Sequence, residues 1–134
     1  MIYLLDTNVV VTYLRGKDPL VKQRVDAQSP SDLRICSVVL CELYYGAAIS
    51  QQPGANFATV RKFTQALVSL PYDDVAAEQF GTLRGLLKKL GTPIGPSDLM
   101  IAAIAWTNGL TLVTHNTAEF SRVPGLVLLD WQLP

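Results

Sequence analysis

Met1-Ile2-Tyr3-Leu4-Leu5-Asp6-Thr7-Asn8 carries the reading that decides the fold: the apolar run Ile2 to Leu5 passes without alternation into a carboxylate and two small polar groups. A short continuous apolar run bounded by a turn signal suits a central parallel strand covered on both faces. Asp6 then falls at the carboxyl end of that strand, the edge where open α/β sheets place their ligands. An aspartate there also suits a helix cap, and the two roles are compatible, because Thr7 or Asn8 can cap while Asp6 faces forward.

Working outward, short apolar runs alternate with helical patterns along the whole chain. Asn8 to Leu14 reads as a helix stopped by Gly16, and Pro19 opens a second helix to about Ala27. Leu33 to Cys36 reads as a strand, with Ser37 placed to cap a helix that runs to about Ile49 and is apolar nearly all round, as expected of a buried helix. Glu42 is the only charge in it, so the carboxylate needs a partner, a proton or a metal. Ala55 to Leu67 is a fourth helix and Val68 to Leu70 a third strand. Asp73 or Asp74 caps a long helix from about Val75 to Leu90, whose apolar side is Val75, Phe80, Leu83, Leu86, Leu87 and Leu90. The stiff segment Thr92 to Ser97 leads into a helix ending near Asn108, with Asp98 in its first turn and sharing the face of Ile94, Ile101, Ala102 and Ala105. Leu110 to Thr114 is a fourth strand, Thr117 caps a short turn holding Glu119 and Phe120, and Val127 to Leu129 is a last strand. This alternation predicts a single α/β domain over residues 1–134, with helices on a parallel sheet of about five short strands.

The bulk properties exclude several classes. With 11 basic and 11 acidic residues the net charge is zero, so there is no global attraction to nucleic acid, and any such binding must use local patches such as Arg15, Lys17, Lys22 and Arg24. The longest uncharged apolar run, Leu99 to Trp106, is far short of the roughly 18 residues of a membrane span. No secretory leader is legible, and Cys36 and Cys41 lack a second cysteine or histidine set at metal spacing. They read as buried, reduced thiols of a cytoplasmic protein. His115 reads as a loop or substrate-contacting residue, since no serine or cysteine nucleophile accompanies it.

Crossovers of one hand bring the strand ends Asp6 and Thr114 to one edge, where Glu42, Asp98 and Glu119 can converge. Two unit charges 4 Å apart repel by about 4 kcal/mol at an effective dielectric near 20, so such a cluster requires a counter-charge. All-oxygen ligands favour Mg²⁺ or Mn²⁺ over zinc, and ions of that kind activate water for attack on phosphodiesters.

Four segments together resemble the motifs of PIN-domain ribonucleases. They are Leu5 to Asn8, Cys41 to Gly46 around Glu42, Gly95 to Asp98 followed by Met100-Ile101-Ala102, and Val113 to Phe120. The set is closer still to VapC toxins, the nuclease half of VapBC toxin–antitoxin pairs, and Arg122 to Leu126 with Asp130-Trp131 resembles that family's tail. The resemblance implies a PIN-like three-layer α/β/α sandwich and Mg²⁺- or Mn²⁺-dependent endonucleolytic cleavage of RNA, tRNA or another structured RNA. It also implies a homodimer and inhibition by a cognate VapB antitoxin. Carried over by position, Asp6, Glu42 and Asp98 are the core metal-binding acids and Glu119 is the fourth. Many relatives have Asp at that fourth place, and the longer Glu119 side chain could reach the ion through a water. Thr7, Asn8, Thr114 and Asn116 are the expected hydrogen-bonding supports.

Two rival readings use the same residues. A phosphatase with Asp6 as nucleophile usually needs a second carboxylate two residues on, where this chain has Asn8. A non-catalytic metal-binding or phosphoacceptor module would bind Mg²⁺ through Asp6 and Asp98 and leave RNA intact.

Overall fold

The computed structural model describes residues 1–134 as five strands and seven helices. In chain order these are β1 (Tyr3–Leu5), α1 (Thr7–Arg15), α2 (Pro19–Asp26), β2 (Leu33–Cys36), α3 (Ser37–Ala48) and α4 (Pro53–Thr64). β3 (Val68–Leu70), α5 (Asp74–Lys89), α6 (Pro96–Thr107), β4 (Thr111–Val113), α7 (Thr117–Phe120) and β5 (Leu128–Leu129) follow. The sheet order is β3-β2-β1-β4-β5, every pairing is parallel, and β1 is central. Consecutive residues Leu4 and Leu5, and likewise Leu112 and Val113, point to opposite faces and are all fully buried. Both faces of the sheet are therefore covered, as the unalternated apolar runs predict.

The strand order reverses at β1, with β2 on one side and β4 on the other. Such a reversal opens a crevice at the carboxyl ends of the strands. The Asp6 N–H continues the ladder by donating to the Val113 carbonyl (3.0 Å), which keeps Asp6 and Thr114 side by side on that edge. α6 packs along α5 and also meets α3, so the acids of α3 and α6 approach the crevice from helices in mutual contact.

Several local expectations need correction. α3 is not buried all round: only Val39, Leu43 and Ala47 are enclosed, while Tyr45 and Cys41 face outward. Cys36 is the buried thiol and Cys41 an exposed one. On α5, Leu83 and Leu87 are buried but Val75, Leu86 and Leu90 are outside. A helix offers the core only one face, so apolar residues beyond that face are left at the surface whatever their chemistry. Ser37 and Thr117 lie inside their helices, and Cys36 and Asn116 occupy the capping positions; the Ser37 hydroxyl donates to the Leu70 carbonyl instead. α4 starts at Pro53 and stops at Thr64, and the last two strands are shorter than their apolar runs.

α7 is only one turn long, too short to persist alone. Phe120, fully buried, and Val123, almost so, bolt it to the core. Burial of a phenylalanine side chain contributes about 2–3 kcal/mol.

Candidate active site

Asp6 caps α1 from an extended backbone (φ −71°, ψ 157°), which turns its carboxylate to the crevice. It is 5% exposed; Oδ1 accepts the Thr7 N–H (2.8 Å) and Oδ2 accepts the hydroxyl of the fully buried Thr114 (2.8 Å). Burial raises the Asp6 pKa above the ordinary range, the two hydrogen bonds oppose this, and the charge of Glu119 adds to the rise. A buried carboxylate is tolerable there because both oxygens are met.

Glu42, in the second turn of α3, accepts the Thr7 hydroxyl on Oε1 (3.1 Å). Thr7 thus ties two carboxylates together, its N–H to one and its hydroxyl to the other. Burial, and then the charge of Asp6, raise the Glu42 pKa against the Thr7 bond. Asp98 sits in the first turn of α6 and is partly buried. Burial first, then the charges of Asp6, Glu119 and Glu42, push its pKa up to about 6.

Glu119 is the exception. Its Oε1 accepts the Gly95 N–H (2.8 Å) and its Oε2 the Asn116 amide (3.0 Å), and these bonds with the nearby Arg122 charge hold it below the usual carboxylate range. Asn116 is itself anchored, its N–H donating to Thr114 Oγ1 (3.0 Å).

The tertiary structure therefore brings Asp6, Glu42, Asp98 and Glu119 into one electrostatic group, with Thr7, Thr114 and Asn116 supporting them. Asn8 is exposed and no side-chain hydrogen bond ties it to the acids. No three acidic, histidine or cysteine side chains close into a ready cage for an ion. Repulsion explains this: Asp6, Glu42 and Glu119 each settle on protein donors, and drawing three carboxylates together requires a cation between them. The softer candidates do not compete. Burial pushes the Cys36 thiol up to about 11, so it stays protonated, and His115 Nδ1 is engaged by Asp130 (2.9 Å). The donors that remain are oxygens, the chemistry that suits a hard divalent ion.

Two features escape a reading of the sequence. One is the Gly95 N–H, a main-chain donor that no residue pattern announces. The other is Arg122, whose guanidinium donates to the Pro93 carbonyl (2.7 Å). Beside the acids, a cleft of about 320 Å³ between α1, α3 and α4 is lined by both Glu42 and Arg15, so part of the basic patch does flank the acidic group.

The family model described as PIN domain matches residues 3–126. Among curated proteins, the tRNA(fMet)-specific endonuclease VapC of Shigella flexneri is 41% identical over 129 residues, covering 96% of this chain and 97% of its own. The ribonuclease VapC2 of Haemophilus influenzae strain Rd is 36% identical, with the same coverage. Among solved structures, the DNA-bound VapBC of Salmonella typhimurium superposes with a TM-score of 0.91 at 39% identity, covering 98% of each chain. VapBC2 of Rickettsia felis, bound to a promoter DNA fragment, gives 0.90 at 32% identity, covering 98% of this chain and 99% of the other.

Proposed function

Because this chain belongs to the PIN-domain family, among its VapC-type ribonucleases, we propose that it cleaves structured RNA, tRNA first among the candidates, with Mg²⁺ or Mn²⁺ held by the acids at its sheet edge. The carrying observation is that Thr7 ties Asp6 and Glu42 together while Asp98 feels the charges of Asp6, Glu119 and Glu42, in a site whose donors are oxygens. Asp6, Glu42 and Asp98 are the direct ligands in this reading, and Glu119, already engaged through both oxygens, acts through a water. A divalent ion bound there supplies the charge that activates water and stabilises the phosphorane-like transition state.

The protein's own groups do the positioning. Thr114 and the Thr7 N–H oppose the burial that raises the Asp6 pKa and fix both of its oxygens, and the Thr7 hydroxyl sets Glu42 beside it. Arg15, at the mouth of the Glu42 cleft, offers a cation to the RNA backbone, where phosphate contacts orient the substrate.

The partner in this reading is a VapB-type antitoxin. A groove of about 620 Å³ lined by Tyr13, Leu14, Val25, Leu33, Phe63 and Leu67 shares Leu14 with the Glu42 cleft, so one bound segment can run from the apolar groove to the acids. The homodimer is part of the same reading, and the outward Tyr45, Ile49, Leu86 and Leu90 are apolar side chains available to it. No helix is long and apolar enough to cross a membrane. An RNA substrate and a protein antitoxin fit a protein that works in the cytoplasm.

RNA cleavage by the purified chain, with Mg²⁺ or Mn²⁺, with chelator, and with Asp6→Asn and Asp98→Asn, tests the proposal. Metal-dependent cutting abolished by both substitutions is expected. Cutting that survives both refutes the site. A folded, metal-binding protein that leaves RNA intact favours the non-catalytic module.

A further inference from the structure

Between α5 and α6 the chain runs through Pro93-Ile94-Gly95-Pro96, and Asp98 follows two residues later. The prolines fix φ at both ends of this segment, but they also remove main-chain donors from it. Gly95, the capping position of α6, has no side chain to satisfy the first turn. What holds the segment instead comes from α7 and the turn that follows it. Arg122, exposed, reaches across 29 positions to the Pro93 carbonyl (2.7 Å), and Glu119 Oε1 takes the Gly95 N–H (2.8 Å). Asn116 steadies the other Glu119 oxygen, and the buried Phe120 and Val123 hold α7 to the core.

We infer that α7 is a clasp on the segment ahead of Asp98, and that Arg122 is a positioning residue whose bond to Pro93 sets where Asp98 stands relative to Asp6. The inference rests on the metal-dependent nuclease reading above. One arm of the clasp, Glu119, belongs to the acidic group itself, so the position of the segment and the geometry of the carboxylates are coupled. The other arm, Arg122, hydrogen-bonds none of the acids; it holds the main chain at Pro93, and its charge also acts on Glu119. The competing role for an exposed arginine beside an acidic site is a direct contact with an RNA phosphate.

The experiment compares the full chain, free of antitoxin, with its Arg122→Ala and Arg122→Lys forms. In metal-free protein, amide exchange at Gly95 should accelerate in Arg122→Ala while the melting temperature changes little. Mn²⁺ affinity, measured by calorimetry, should weaken about tenfold, as when an outer hydrogen-bonding partner of a metal site is removed. Turnover should fall with KM for RNA unchanged. Arg122→Lys, which keeps one donor for the Pro93 carbonyl, should retain most of the affinity. Unchanged Gly95 exchange and Mn²⁺ affinity in Arg122→Ala would overturn the inference. So would a raised KM with a shallower salt dependence, the mark of a lost phosphate contact. A wild-type protein that binds no Mn²⁺ and cuts no RNA would refute the nuclease reading itself, whereas an active wild type with an indifferent Arg122→Ala would refute only the clasp.

Discussion

Replacing Asp98 by Asn should make the metal-free protein more stable while destroying its use for a metal. Asp98 is pushed from 3.8 to about 6, by burial first and then by the charges of Asp6, Glu119 and Glu42. At 1.36 kcal/mol per decade, such a rise corresponds to roughly 3 kcal/mol against the ionised form. Asp98 is only partly buried, and solvent screening reduces that to about 1–1.5 kcal/mol. Asn removes the charge and keeps the size and shape of the side chain. Near pH 7.5 in chelator the variant should melt roughly 3–7 °C higher than wild type. The sign with pH follows from the raised pKa: the contribution of Asp98 to wild-type stability is complete below 3.8 and is lost as pH rises through about 6. The gap should therefore shrink to about half near pH 5. Saturating Mn²⁺ should reverse the ranking, because a ligand at about 100 times its Kd stabilises the native state by about 2.7 kcal/mol and the Asp98→Asn variant forfeits that gain. Thermal melts at both pH values, with chelator and with Mn²⁺, measure all three. An Asp98→Asn protein that melts at or below wild type in chelator, or that gains as much from Mn²⁺, would refute the electrostatic account of the site.

Thr114→Val keeps the shape of a fully buried side chain but takes the hydroxyl from Asp6 Oδ2. Urea unfolding near neutral pH should show a loss of about 1.5–3 kcal/mol, shrinking as pH falls and Asp6 is protonated. Phe120→Ala should cost about 3–5 kcal/mol in the same assay, because a fully buried ring is lost from the anchor of α7. Gly95→Ala should be tolerated, since its backbone (φ −59°, ψ 147°) suits any residue and the new Cβ meets only ordinary contact. Melting should show a gain of about 0.4–1 kcal/mol from the stiffer unfolded chain, and a destabilised variant would mean that the segment is packed more tightly than its geometry implies.

Much of this protein is legible along the chain because its signals are local. The run Tyr3 to Leu5 ending in Asp6 marks a central strand and its functional end, since a doubly covered strand must be apolar on both faces. Gly16, Gly91 and Gly109 mark where helices stop, each at positive φ. The acids themselves could be named, because carboxylates set among apolar neighbours, as Glu42 is, require a partner.

Tertiary structure decided the rest. Composition showed an apolar surplus on α3 and α5 but not which side it takes; which face turns inward depends on how helices pair over the sheet, so Tyr45 and Leu86 ended outside. The bond from the Thr7 hydroxyl to Glu42, the hold of Thr114 on Asp6 across 108 positions, and the Arg122 bond to Pro93 are contacts between distant segments. A hydrogen bond of that kind leaves no periodicity behind it. The identity of each donor is written in the sequence, but its partner exists only once the backbone has brought the two within about 3 Å.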